Sequence, residues 1–329
     1  MRSLFTANSK QIGEIIGVDP IGPVIMVFDV ASAISPKAGS IVFVNRPLEH
    51  IADDILTPRD CCILLNNDSS EEVVSKLIEH NAVILVDNPR LAYAKAVTKL
   101  INLNYDAPSY EEHHGSWISS SATIGQDVRI EPGCFIGDRV HIADGAVVMS
   151  GARVLRFCSV GKHTTIGPNS VIGADGFGYE RDEDGTPVHL PHVGGVEVGD
   201  HVDVGASSTI ASGTIEPTRI GHHVRISNLV HVAHNCEIGA RTMIAGGSTL
   251  CGSIVIGEDA WIGAGVSIKQ GCRIGASATV GLGAVVLKDV CNGEIVAGNS
   301  ARPTKELSRM NRMIEKLLAN QALLDNSKR

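Results

Sequence analysis

His234 and Asn235 interrupt "ISNLVHVAHNCEIG", residues 226–239, a stretch that otherwise repeats aliphatic, small and polar positions. An imidazole changes charge near pH 7 unaided, so His234 could take a proton from an attacking amine or hydroxyl as a general base. It could also bind a metal, or be a surface histidine with no task. His231 stands near enough to share a metal, yet zinc takes three protein ligands, and no His-x4-His pair occurs in the chain. No metal is therefore expected, and the general base is the chemical role that remains.

A repeat must position that histidine. An aliphatic residue recurs every six positions from Ile118 to Ile172, from Val198 to Ile210 and from Ile220 to Val286. Four positions after each comes a small or β-branched residue such as Ala122, Val128, Thr164, Ser208, Thr242 or Ala284. A helix repeats at about 3.6 and an ordinary strand at about 2, so neither fits. A period of six fits a parallel β-helix, a triangular prism of three hexads per coil with the aliphatic residues stacked inward and coils about 4.8 Å apart. Periodicity leaves the hand of the coil open. Cys134, Cys158, Cys236 and Cys272 occupy the small inward position and read as packing residues rather than nucleophiles.

In this register His234 lies just past a corner, two residues after the inward Val232, and its ring projects from a prism edge. One coil of 18 residues on comes Gly252, and one further Gln270. A glycine beside an outward imidazole leaves a slot. His201, His222 and His223 fall at exposed turns with no special neighbour expected. Two excursions break the register: 20 residues around "FGYERDEDGTPVHLPHVGGV" between Ile172 and Val198, and four around Glu216 and Pro217. Loops on a rigid scaffold often carry binding groups, though the acidic "ERDED" reads equally as a solvated turn.

The remainder divides into three parts. Residues 1–105, where apolar runs such as "SIVFVN" and "AVILVDN" alternate with helix-like segments, read as a small α/β domain. Residues 106–303 hold the β-helix with its excursion at 178–197. Residues 304–329 carry apolar residues at helical spacing and predict a C-terminal helix, packed between subunits or onto the prism end. A net charge of −8 offers no surface for nucleic acid. No apolar run reaches the roughly 18 residues of a membrane span, and the N-terminus lacks a signal peptide, so a cytoplasmic location is expected. Of the eight cysteines only Cys61 and Cys62 are close in sequence, and no CxxC occurs, which favours free thiols.

"IGADGFGYERDEDG", then "LPHVGGVEVGDHVDVGASSTI" and "VHVAHNCEIGARTMIAGGSTLCGS", resemble the UDP-3-O-(3-hydroxyacyl)glucosamine N-acyltransferases of lipid A synthesis, as do "SIVFVNRP" and "ILVDNPRLAYAKAV" nearer the N-terminus. The resemblance covers nearly the whole chain. It implies a left-handed parallel β-helix with an N-terminal uridine-binding α/β domain and a C-terminal helix, assembled as a homotrimer. It also implies transfer of an acyl group from an acyl carrier protein thioester to the amine of a UDP-linked glucosamine derivative, with no cofactor. His234 is then the base, oriented by Asn235, with a backbone N–H, expected at Gly252, steadying the oxyanion. Phe43 stacks on uracil, Asn45 contacts a phosphate, and Asp175, Gly176 and Phe177 shape the acceptor cleft, which runs toward Gln270.

The chain also departs from that family. Glu49 and His50 stand where a second uracil-stacking aromatic is expected, "ASG" (residues 211–213) replaces "DRG", Ser227 replaces an acidic residue, and Gly271 replaces a second histidine. "VAGNSARP" near residue 300 is similar to coenzyme-A-using hexapeptide acyltransferases. Two alternatives follow: a coenzyme A donor with another nucleotide-linked amino sugar of a surface polysaccharide, and a β-helix scaffold without activity.

Overall fold

The computed structural model describes residues 3–44, 59–104, 106–298 and 300–326, with side chains described to residue 317. The six-residue period becomes a prism whose faces are three sheets of nine, ten and eight short strands. Parallel pairs such as Arg129↔Val147, His141↔Ser159 and His231↔Thr249 lie one 18-residue coil apart. Pairs that span the excursions, Ser159↔Glu197 and Asp203↔Arg225, absorb the extra 20 and four residues, after which the register resumes.

From Ile136 to Val286 every aliphatic hexad start is buried in one continuous core. Each such side chain contributes roughly 1.5–3 kcal/mol by leaving water, so the coils are held chiefly by their own repeated interior. Ile118 and Ile130 are only partly covered, and Ile124 is 38% exposed, because no coil lies beneath the first one. That end is covered on one face by Tyr110–His113, which pairs antiparallel to Ser116–Ser119. The four inward cysteines are buried as expected. Burial pushes the Cys236 thiol up to about 11, and its Sγ donates to the Cys251 carbonyl at 3.2 Å.

In the N-terminal domain four parallel strands, Asp29–Val30, Ser40–Phe43, Cys62–Asn66 and Ala82–Val86, lie side by side in that order. Alternate residues face opposite ways. Ile41, Cys62, Leu64 and Ile84 pack under helices α1 (Ser9–Ile16) and α3 (Pro89–Leu103). Val42, Ile63, Leu65 and Val83 pack with Leu77 of α2 (Glu71–Leu77). Helix α3 starts where Asn88 accepts the Leu91 N–H at 3.0 Å and Pro89 supplies a preset φ at the first turn.

The acidic part of the long excursion ends in an exposed turn, residues 183–184, but the excursion as a whole is more than a solvated loop. Tyr179–Arg181 and Pro187–His189 form an antiparallel hairpin. Glu180 pairs with Arg90 of α3 at 2.9 Å, and Leu190 and Val193 enter the core of the N-terminal domain. The hairpin therefore ties that domain to the prism. At its base Ser212, in "ASG", is buried and accepts the Gly195 N–H at 2.8 Å.

Helix α4 (Thr304–Asn326) does not pack onto the prism end over its described side chains: Leu307, Met313, Ile314 and Leu317 are exposed. Among the described residues, no helix is long and apolar enough to cross a membrane.

Candidate active site

His234 follows the strand His231–Val232 and is half-buried at a prism edge. Its Nδ1 lies 2.9 Å from Oδ1 of Asn235. That oxygen also receives the Thr214 hydroxyl at 2.9 Å and the Thr214 backbone N–H at 3.4 Å. A backbone N–H can only donate, so the atom it meets is the amide oxygen, and the His234 Nδ1 facing the same oxygen must carry its proton. The lone pair is thereby left on Nε2, the tautomer a base requires. Asn235 holds this pose at φ 59°, in the left-handed region an asparagine tolerates, with its own N–H on Thr218 Oγ1 at 2.9 Å.

The His234 ring lies against Gly252, in the place a side chain there would take. A methyl group there would sit 2.6 Å from His234 Cε1 and 2.8 Å from Nε2. On the ring's other side a side chain on Gly176 would meet His234 Cβ and Cδ2 at 2.8 Å. Both glycines are therefore required for the imidazole to stand where it does, and the ring lies between them.

The expected site residues sort into three groups. His234, Asn235, Gly252 and Gly176 meet directly. Asp175 is exposed, 3.9 Å from His189 Nε2, and Phe177 is 88% exposed with its ring 5.2 Å from Tyr179; both flank Gly176 on the excursion. Gln270 is exposed one coil beyond Gly252 on the same corner, and Gly271 beside it has open space around it. Phe43 lies apart, at the carboxyl end of its strand, half-buried with its ring 4.8 Å from that of Tyr93. Asn45, Glu49 and His50 lie outside the described residues.

Three participants were not anticipated. Thr214 and Thr218 fix the Asn235 amide, and His192 brings a second imidazole to 5.1 Å from His234, centroid to centroid. Burial, then the nearby His234, holds the His231 imidazolium below its usual range. The reading that His201, His222 and His223 have no special neighbour is corrected. His201 stacks between His163 and His223, and His222 Nδ1 accepts the Asp200 N–H at 2.9 Å. Among the described residues no group of three His, Cys, Asp or Glu side chains could hold a metal ion.

A prism of 18-residue coils, three hexads in each, with an oriented imidazole set between two glycines is the architecture of the hexapeptide acyltransferases. The bacterial transferase hexapeptide family (six repeats) matches residues 139–174, 217–252 and 253–288. A UDP-3-O-acylglucosamine N-acyltransferase from Methylobacillus flagellatus is 30% identical over 261 residues, 74% of this chain and 71% of that one. Another from Herminiimonas arsenicoxydans is 28% identical over 296 residues, 84% of this chain and 79% of that one. Among solved structures, the UDP-N-acetylglucosamine acyltransferase of Francisella novicida superposes with a TM-score of 0.53 at 27% identity, covering 60% of this chain and 72% of that one. The chain belongs to the UDP-3-O-acylglucosamine N-acyltransferase family. It is an N-acyltransferase, and its β-helix is left-handed.

Proposed function

We propose that the chain transfers an acyl group from an acyl carrier protein thioester to the amine of a UDP-linked 3-O-acylglucosamine, a cytoplasmic step of lipid A synthesis. The observation that carries this reading is the His234 imidazole, held through Nδ1 by Asn235 and lying against Gly252, with Nε2 left for the substrate. The amine nitrogen attacks the thioester carbonyl while Nε2 takes its proton. The Gly252 N–H, which donates to no protein acceptor among the described residues, steadies the oxyanion. Collapse forms the amide and expels the thiolate, which regains the proton from His234. No cofactor takes part.

Phe43 is read as the uracil platform because it sits where open parallel sheets bind ligands, at the carboxyl end of a strand. Tyr93 backs its ring from α3, so one face remains for the base; Asn45 is assigned to a phosphate from the resemblance alone. Asp175 and Phe177 on the excursion, with Gln270 above, line the acceptor's approach. The homotrimer is supported by exposed apolar residues in two places: the neighbours Met243 and Trp261 on one prism face, with Ile295 beyond Thr279 in the same ladder, and Leu307, Ile314 and Leu317 on α4.

The test is a transfer assay with UDP-3-O-acylglucosamine and matched acyl carrier protein and acyl coenzyme A donors. Turnover with the carrier-protein thioester is expected. Turnover with coenzyme A alone would move the chain to the alternative donor, and no turnover with any UDP-amino sugar would remove the reading. Calorimetry of UDP on Phe43→Ala should show affinity about fivefold weaker, since one stacking partner is worth ~1 kcal/mol.

A further inference from the structure

His192 is 2% exposed, yet neither of its ring nitrogens has a hydrogen-bond partner. The Leu190 carbonyl lies near the ring without reaching hydrogen-bond geometry. Its backbone, by contrast, is held: the Ser212 hydroxyl donates to the His192 carbonyl at 3.4 Å. A buried polar group left unpaired costs free energy, so each one in a folded protein calls for a reason. Burial, then His234 and His189, press the His192 imidazolium down to about 4, so the ring is neutral throughout the working range.

The geometry beside it supplies the reason. Space a side chain on Gly176 would occupy is bounded by His192 Nε2 at 2.6 Å and by His234 Cβ and Cδ2 at 2.8 Å. Nε2 and the edge of the catalytic ring thus lie on either side of Gly176, whose missing side chain leaves none between them, and the two ring centroids are 5.1 Å apart. We propose that His192 is a positioning residue that acts through His234: the lone pair on its Nε2 faces the ring that becomes positive as the proton is taken, and stabilises that charge. The partner missing in the ground state appears in the transition state, which is the condition for an interaction to raise kcat rather than merely bind. A neutral imidazole dipole about 5 Å from a unit charge in a half-buried site is worth on the order of tenfold in rate.

The groups facing the two rings are few. His189 and Arg90 act on His192, and His234 itself bears on both His192 and His231. None is removed by changing His192 alone. This inference rests on His234 being the base, and one readout is independent of turnover.

The test compares His192→Leu, which removes both nitrogens at similar volume, with His192→Gln, whose amide can again offer an acceptor. In His192→Leu we expect kcat to fall about tenfold with KM within twofold, and the acid limb of the rate profile to move down by up to about one pH unit. The melting temperature should hold or rise by a few degrees, because a buried unpaired group has gone. His192→Gln should recover part of kcat. The His234 proton resonance, assigned by its loss in His234→Ala, should titrate correspondingly lower in His192→Leu. An unmoved His234 titration overturns the inference, as does a lower kcat accompanied by lower stability and an unmoved acid limb. His192→Met serves if the leucine variant does not fold. A parent protein without transfer activity would strike the proposed reaction, while the titration would still decide the relation between the two rings.

Discussion

Two corners of the same prism carry histidines, and they differ in what fills the next level. On one, His163, His201 and His223 stack in successive coils with centroids 5.2 and 5.0 Å apart, and Arg241 one coil on locks to Asp259 at 2.7 Å. From His163 onward each of these levels carries a side chain, with Gly145 on the level before it. On the other, His234 is followed by Gly252, and Asn235 turns its ring. Both corners set an imidazole against a glycine, Gly145 beside His163 and Gly252 beside His234, but the rings of the first stack on one another while the second is turned by Asn235. A histidine on this solenoid becomes a reagent through the group that orients it.

The sharpest way to break this comparison is to remove one ring from each corner. His234→Ala should lower kcat/KM by roughly two to four orders of magnitude, the usual loss for a general base, whereas His201→Ala should stay within about twofold in the same steady-state assay. Crowding the glycine beside each ring comes next. Gly252→Ala brings a methyl group against His234 Cε1 and Nε2 and should cost about a hundredfold in kcat/KM with little change in melting temperature. Its counterpart Gly145→Ala collides with His163 at a position of φ 67°. It should cost roughly 1–2 kcal/mol in denaturant unfolding and leave turnover intact.

Asn235→Ala unties the tautomer without crowding the ring. We expect a ten- to hundredfold lower kcat, with about 1 kcal/mol of stability lost at the left-handed corner. A pH titration of stability addresses the buried ring beside the base. His192 is protonated in the unfolded chain below about 6.5 but resists protonation in the fold down to about 4. The unfolded state therefore binds more protons in that window, and stability, full above about 6.5, declines as pH falls toward 4. His192→Leu should flatten that decline in thermal melts. The smallest effects belong to the interior: Cys236→Ala and Cys272→Ala should each cost about 1 kcal/mol or less and leave the rate unchanged, and a folded, inactive variant would contradict their inward register.

The prism could be read from the chain because each coil repeats one local rule, an aliphatic residue every six positions, and the 18-residue step then set Gly252 beside His234. The same step fails inside the excursions. His192 lies in one and reaches the base only because its hairpin folds back onto α3, a contact no spacing encodes. Thr214 sits four after Ile210, at an inward position by register, and the four-residue insertion turns it toward Asn235 instead. The stacked column of His163, His201 and His223 was hidden because their sequence spacings straddle both insertions. Phe43 was legible as an aromatic in a strand, but Tyr93, the ring that backs it, comes from a helix half a domain away.

A solenoid of parallel strands has ends that resemble its middle, so each end could template another prism as one coil templates the next. At the first coil, where Ile124 remains partly bare, the strand Tyr110–His113 runs antiparallel and presents Glu111, Glu112 and His113 to solvent. It reverses the hydrogen-bond pattern and adds carboxylates along the growing edge, two devices that deter edge-to-edge joining. The acidic reversal at residues 110–113 thus acts as a terminator that keeps a polymerisable architecture finite.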